Sequence, residues 1–204
     1  EMCIRDRWLG GCYMEARDKK VIDFIHLVEL ATKEQIQKLY FEGVHSNICM
    51  RRLKKISEDG YVDRFKHGGN MFIYYVGKKP SKRLINHDLY ITDFIVEMMR
   101  NNYEILEFKK SFMIGNIISD AYIKYRDAEG KVRHCVLEIQ LSNKVEDCVN
   151  KYKDFKNIIL ENKKEWVSMP RVIVITDMTQ RVELRGVKVL LSLIHISEPT
   201  RQEA

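Results

Sequence analysis

The sequence predicts an α+β protein of two domains, and three observations lead to this prediction. The first half carries three apolar patterns at helical spacing, followed by two short apolar runs around a glycine pair. A basic stretch containing Gly77 and Pro80 then interrupts both periodicities. The second half mixes helix-like and strand-like patterns, and two of its apolar strands carry isolated carboxylates, Asp120 and Glu138.

Both ends of the 204-residue chain are set aside, because residues 2–7 and 191–204 look like translated sequencing-adapter DNA. We therefore expect residues 1–16 and 186–204 to be artefactual or disordered, and the gene to be truncated at one or both ends. Genuine tails that happen to match remain the alternative.

The first domain is predicted to contain three helices and a hairpin. An apolar stripe marks a helix over residues 17–30. Thr32 and Gln35 form a capping-box pattern that opens the second helix. Ser46 is placed to cap the third helix, Gly60 to end it, and the turn after residue 66 to join two strands.

This order is that of a winged helix-turn-helix, predicted over residues 17–77, with a basic linker over residues 78–86. Between Val44 and Arg83 ten Lys or Arg residues face three acidic residues, a net charge of +7, which favours a polyanion. We expect double-stranded DNA as the partner, with the third helix in a major groove and the wing on the backbone. The predicted DNA-binding residues are Ser46, Asn47, Arg51, Arg52, Lys54, Lys55, Arg64 and Lys66. The alternative is a protein-interaction module whose charged helix face is only solvated.

The second domain, predicted over residues 87–185, has the order α-β-β-β-α-β. A helix is expected from His87 to about Arg100, and a second from about residue 145 to 162. The strands are expected at residues 103–108, 117–125, 131–141 and 171–176.

Asp120 and Glu138 fall on neighbouring predicted strands, where a carboxylate needs a partner. Oxygen ligands from two strands suit a hard cation such as Mg²⁺. Glu138 and Gln140 share one face of their strand, so the Gln140 amide would hold a water or phosphate oxygen beside the metal. Glu97, on the preceding helix, is a candidate additional metal ligand. A solvent-exposed sheet edge is the alternative for the pair.

The order of elements resembles the PD-(D/E)XK nuclease superfamily, or restriction-endonuclease-like fold, with Ser119-Asp120 and Glu138-Ile139-Gln140 in the positions of its motifs. With the winged helix and His87-Asp88-Leu89, the chain resembles the replication-relaxation family of plasmids and integrative elements. The segment Glu138-Ile139-Gln140-Leu141-Ser142 is also similar to the CoiA-like competence nucleases.

The resemblance implies Mg²⁺-dependent nicking of DNA in plasmid-type replication or relaxation. Gln140 stands where the superfamily has a lysine, so Lys144 or Lys151 would substitute from the following helix. The implied catalytic residues are Asp120, Glu138, Gln140, Lys144 and Lys151. The alternatives are an inactive DNA-binding relic, a transcriptional regulator or replication accessory protein that forms a homodimer through its second domain, and an adaptor that never contacts DNA.

Other site types find little support in the sequence. The five cysteines show no CxxC spacing, which favours a reduced, cytoplasmic setting. No apolar run suits a membrane span, and no phosphate-cradling glycine motif indicates a nucleotide cofactor. His87 is interpreted as a residue of the helix-cap region rather than a ligand.

Overall fold

The computed structural model describes residues 15–69, 71–141, 148, 150–161, 166 and 169–176, and the backbone of residues 189–193. The protein is α+β, with helices and two separate sheets. It divides into two compact units, and the boundary between Lys79 and Pro80 falls in the stretch predicted as a linker. Among the described residues, no helix has the length and apolar character needed to cross a membrane.

The first unit contains three helices and a small antiparallel sheet. Its elements are α1 (Ala16–Val28), β1 (Leu30–Thr32), α2 (Lys33–Tyr40), α3 (Ser46–Glu58), β2 (Asp63–His67) and β3 (Met71–Tyr75). The strands pair in the order β1-β3-β2. Strand β1 was not predicted from the sequence.

Local hydrogen bonds explain where the helices of this unit begin. The Gln35 backbone nitrogen donates to the Thr32 hydroxyl, and the Thr32 backbone nitrogen donates to the Gln35 side-chain oxygen. The predicted capping box therefore forms. Helix α3 is capped by His45 instead of Ser46, because the His45 Nδ1 accepts from the Asn47 nitrogen at 3.2 Å. The Ser46 hydroxyl accepts a bond of 2.7 Å from the Lys33 Nζ.

The second unit contains a five-stranded mixed sheet. Its elements are α4 (Ile85–Arg100), β4 (Glu104–Ile114), β5 (Ile117–Arg126), β6 (Val132–Gln140), α5 (Phe155–Glu161), β7 (Arg171–Thr176) and β8 (Val189–Leu193). The strand order is β4-β5-β6-β7-β8. Strands β4, β5 and β6 are antiparallel neighbours, whereas β7 is parallel to both β6 and β8.

Three boundaries of the second unit differ from those predicted. Helix α4 begins at Ile85, so His87 lies in its first turn, and β4 continues to Ile114 instead of ending at residue 108. Strand β8 lies within the C-terminal segment predicted to be artefactual or disordered. Of the helix predicted over residues 145–162, residues 151–154 form a turn and α5 begins only at Phe155, while residues 145–147, 149 and 162 lie outside the described residues.

Strand β6 is the centre of the sheet, because every residue from His134 to Ile139 is buried. Side chains alternate along a strand, so both faces of β6 are covered. On one face Val136 packs in a cluster with Tyr122, Tyr152, Phe155 and Val174. Glu138 lies two residues after Val136, so its side chain is on the same face of β6. Its carboxylate is therefore buried in the interior.

Candidate functional site

Glu138 is 4% exposed and is held by side chains from the segment after β6. The Lys151 Nζ lies 2.7 Å from its Oε2, and the Tyr152 hydroxyl donates to its Oε1. The Cys148 Sγ lies 3.9 Å from Oε2. Because Lys151 also donates to the Ile118 carbonyl at 3.1 Å, this one ammonium joins β5 to the Glu138 carboxylate.

Asp120 marks the point where β5 and β6 separate. The last residue pair between these strands is Ala121 with Leu137. Beyond it, the Asp120 Oδ2 accepts a 2.8 Å hydrogen bond from the Ile139 backbone nitrogen. The carboxylate therefore supplies the acceptor that a strand partner would otherwise supply.

His87 links Asp120 to a second acidic side chain. Its Nε2 lies 3.1 Å from the Asp120 Oδ2, and its Nδ1 lies 3.3 Å from the Asp88 Oδ1. The Asp88 Oδ2 in turn lies 3.1 Å from the Lys110 Nζ. A histidine that donates from both nitrogens is the imidazolium form, so His87 is a cation between two carboxylates.

These contacts shift the pKa values of His87, Asp120 and Asp88. Hydrogen bonds to Asp120 and then to Asp88 raise the pKa of His87 to about 9, against the opposing effect of burial. Burial disfavours ionised Asp120, but its bonds to His87 and to the Ile139 nitrogen outweigh that effect and lower its pKa. The pKa of Asp88 is also lowered, because His87 and Lys110 together outweigh its burial.

The pKa values of Glu138 and of its neighbours Cys148 and Tyr152 are all raised. Burial raises the pKa of Glu138 despite the Lys151 and Tyr152 hydrogen bonds, and the nearby Asp120 charge adds to the rise. Burial and the Glu138 carboxyl raise the pKa of Cys148 to about 12, so its thiol stays protonated. The pKa of the Tyr152 hydroxyl is raised by the same two causes. Cys148 and Tyr152 are therefore neutral donors.

The structure brings together some of the predicted site residues. Lys151 contacts Glu138, and Asp120 accepts from the nitrogen of the next residue, Ile139. Gln140 lies two residues after Glu138 on β6, half-buried and opposite Thr176 on β7. Glu97 is exposed, pairs with Arg100 at 3.4 Å, and lies about 15 Å along α4 from His87 at the helical rise per residue. Glu97 is therefore misplaced as a ligand of this site. Lys144 lies outside the described residues.

His87 contributes a contact that the cap-region interpretation did not include. Helix α4 has Leu84 at its N-cap without a side-chain cap hydrogen bond, and His87 instead contacts Asp120. The His87-Asp88-Leu89 motif was the available sequence signal, but nothing local to it identifies a partner 33 residues away.

The carboxylates do not fit a divalent cation as they are arranged. Mg²⁺ takes about six oxygen ligands at short range. Both Glu138 oxygens and the Asp120 Oδ2 already accept hydrogen bonds from Lys151, Tyr152, His87 and the backbone. Within the described part of the chain, no group of three His, Cys, Asp or Glu side chains could hold a metal.

The predicted DNA-binding residues of α3 separate into two groups. Asn47, Arg51, Lys54 and Lys55 are exposed. Arg52 instead ion-pairs with the buried Asp18 of α1, and its Nη1 lies 3.3 Å from Glu15. Arg52 as a DNA contact stays a prediction, and its guanidinium holds α3 to α1.

The cations of the β2–β3 hairpin rest on aromatic rings. The Arg64 guanidinium lies 5.0 Å and the Lys66 ammonium 5.7 Å from the centre of the Phe72 ring. Lys79 lies 4.8 Å from the Phe65 ring centre. These contacts orient positive charge along the hairpin.

No protein-family model and no curated protein matches this sequence. Among solved structures, the chain is similar to EndoMS in its apo form, with 19% sequence identity and a TM-score of 0.27. The match covers 52% of this chain and 42% of that chain. The resemblance to the replication-relaxation family stays a prediction.

Proposed function

We propose that this chain is a DNA-binding protein of a mobile genetic element, acting in plasmid-type replication or DNA relaxation. In this proposal the first unit is a winged helix that binds double-stranded DNA, and the second unit is a nuclease-like domain. The observation that carries the proposal is the exposed basic face of α3, together with the ring-supported cations of β2.

The two groups of cations suit different parts of a duplex. Asn47 and Arg51 stand on the exposed side of α3, where Asn47 can donate to a base edge in a major groove and Arg51 can pair with a phosphate beside it. Arg64 and Lys66 extend from the hairpin, where they suit phosphates. Lys54 lies 3.5 Å from Glu58, and Lys55 lies 3.2 Å from Asp59. These exposed pairs are weak, so a phosphate can compete for the lysines.

The second unit has two candidate roles. One is Mg²⁺-dependent nicking through Asp120 and Glu138, with Lys151 in place of the lysine absent at Gln140. The other is a non-cleaving role, as in a replication accessory protein or a regulator that forms a homodimer. The engagement of both Glu138 oxygens by Lys151 and Tyr152 favours the non-cleaving role.

Adjacent arginines on α3 provide a test of DNA binding. We expect the dissociation constant of the wild type for duplex DNA to depend on salt with a log–log slope of about −3 to −4, as for roughly four phosphate contacts. Arg51→Met should reduce that slope by about one without lowering the melting temperature. Fluorescence anisotropy over a salt series measures both effects.

Arg52→Met is the matched control, since it removes the same charge from the same helix. Its ion pair with Asp18 is lost, so its melting temperature should fall while the salt slope stays near the wild-type value. Absence of salt-dependent binding to any duplex would instead support the protein-interaction alternative.

A further inference from the structure

The second unit pairs three carboxylates with three basic side chains in two neighbouring clusters. Asp120 and Asp88 flank His87, Asp88 also contacts Lys110, and Glu138 contacts Lys151. The Glu138 carboxyl therefore already has a positive charge beside it, with the Lys151 Nζ at 2.7 Å. A site built for a divalent cation instead leaves carboxylate charge for the metal to neutralise.

We propose that Lys151 is a built-in cation that takes the place of a divalent metal ion at Glu138. The ammonium then pairs with this buried carboxylate without a metal, and its contact with the Ile118 carbonyl joins the segment after β6 to the sheet. This inference rests on the proposed function only for the nuclease-like character of the second unit, and DNA binding by the first unit is independent of it.

Lys151 is the decisive cation because its partner is buried. The Glu138 side chain is 5% exposed, whereas that of Lys151 is 36% exposed. Metal binding at Glu138 would have to move Lys151 away from both Glu138 and the Ile118 carbonyl. The ion would then have to replace the ammonium charge beside a carboxylate that has little access to water.

At Asp120, the carboxylate oxygen that faces His87 is likewise already occupied. The Asp120 Oδ2 accepts both from the His87 ring and from the Ile139 nitrogen, so this oxygen serves the α4 contact and the end of the β5–β6 ladder together. Lys110 balances Asp88 on the far side of His87. A cation at Asp120 would therefore compete with a structural contact.

Titration of Mn²⁺ into the full-length protein, followed by the electron paramagnetic resonance signal of free Mn²⁺, tests the proposal. We expect the wild type to bind no Mn²⁺ more tightly than about 1 mM, a weak affinity. Lys151→Met leaves Glu138 without its ammonium, and it should tighten Mn²⁺ binding by about tenfold or more. Lys153→Met, an exposed lysine two residues away, should bind Mn²⁺ as the wild type does.

Two further variants keep the result interpretable. Lys151→Gln retains a hydrogen-bond donor toward Glu138 while removing the charge, so it gives the same test if Lys151→Met does not fold. Adding Glu138→Gln to either Lys151 variant should abolish the gained Mn²⁺ site. Circular dichroism establishes that each variant is folded before the titration.

The proposal is overturned if the wild type binds Mn²⁺ with a dissociation constant below about 1 mM. It is also overturned if the wild type nicks supercoiled plasmid with Mg²⁺ or Mn²⁺ and loses this activity in Asp120→Ala and Glu138→Ala. Unchanged Mn²⁺ binding by a folded Lys151→Gln variant would also overturn the proposal. The Mn²⁺ titrations contain no DNA, so they give the same result whether or not the first unit binds DNA, and the two proposals fail separately.

Discussion

His87 joins parts of the second unit that are far apart in sequence. Its two ring nitrogens contact Asp88, its neighbour on α4, and Asp120 on β5. The same Asp120 oxygen accepts from the Ile139 nitrogen on β6. One protonated imidazole thus helps to hold a helix and two strands together.

The stability of the protein should depend on the protonation of His87. Its pKa is about 9 in the folded state, above the value near 6.5 expected for the unfolded chain. Its contribution is therefore complete below about pH 6.5 and is lost as the pH rises through 9. We expect the wild type to exceed His87→Asn in unfolding free energy by about 1–3 kcal/mol at pH 6 and by little at pH 10.

Urea unfolding of both proteins across this pH range measures the difference. A pH-independent difference for His87→Asn would contradict the imidazolium assignment.

Sequence patterns located residues of the site better than they located the partners of those residues. Asp120 and Glu138 stood out because each interrupts an apolar strand. Glu97 was misplaced because helical spacing gives the face of a side chain but not its distance from a site on another element. The ion pair of Arg52 was not predicted, because its partner Asp18 lies 34 residues earlier, beyond any local pattern.

At the scale of elements, the turn between β4 and β5 depends on a close contact with α5. Gly115 has a φ of +60°, and a Cβ added there would lie 2.9 Å from the Ile158 Cγ2. Gly115→Ala should therefore lower stability in two ways, by backbone strain and by displacing α5. We expect a loss of roughly 2–3 kcal/mol in the unfolding free energy.

Gly130→Ala separates these two effects. Gly130 has a φ of +80° but no atom within 4 Å of the added Cβ, so only backbone strain should act, at about 1 kcal/mol. Chemical denaturation of both variants provides the comparison. Equal losses would indicate that α5 accommodates the Gly115 methyl without cost.

Elements with local signals were predicted, whereas those created by distant pairing were not. The start of α2 follows from Thr32 and Gln35, three residues apart. Strand β1 has only three residues and exists through its pairing with β3, some forty positions later. Strand β4 extends past residue 108 because it pairs with β5 as far as Ile114 with Ile117, a register that the composition of β4 alone does not give.

At the scale of the whole molecule, the segment between the two units should be the preferred site of proteolysis. Lys78, Lys79, Lys82 and Arg83 are all exposed and follow the end of β3. Limited digestion with trypsin should cut there first and leave two resistant fragments, which mass spectrometry can identify. Initial cleavage within α3 or β6 would contradict an arrangement of two independently compact units.

The ring contacts of the hairpin have a consequence for binding thermodynamics. A long cationic side chain loses rotamer freedom when it binds a partner, which typically costs about 0.5–1.5 kcal/mol of binding free energy. Arg64 and Lys66 both lie against Phe72, so part of this ordering is complete before any partner arrives. For these two cations, folding has already restricted motions that association would otherwise have to freeze.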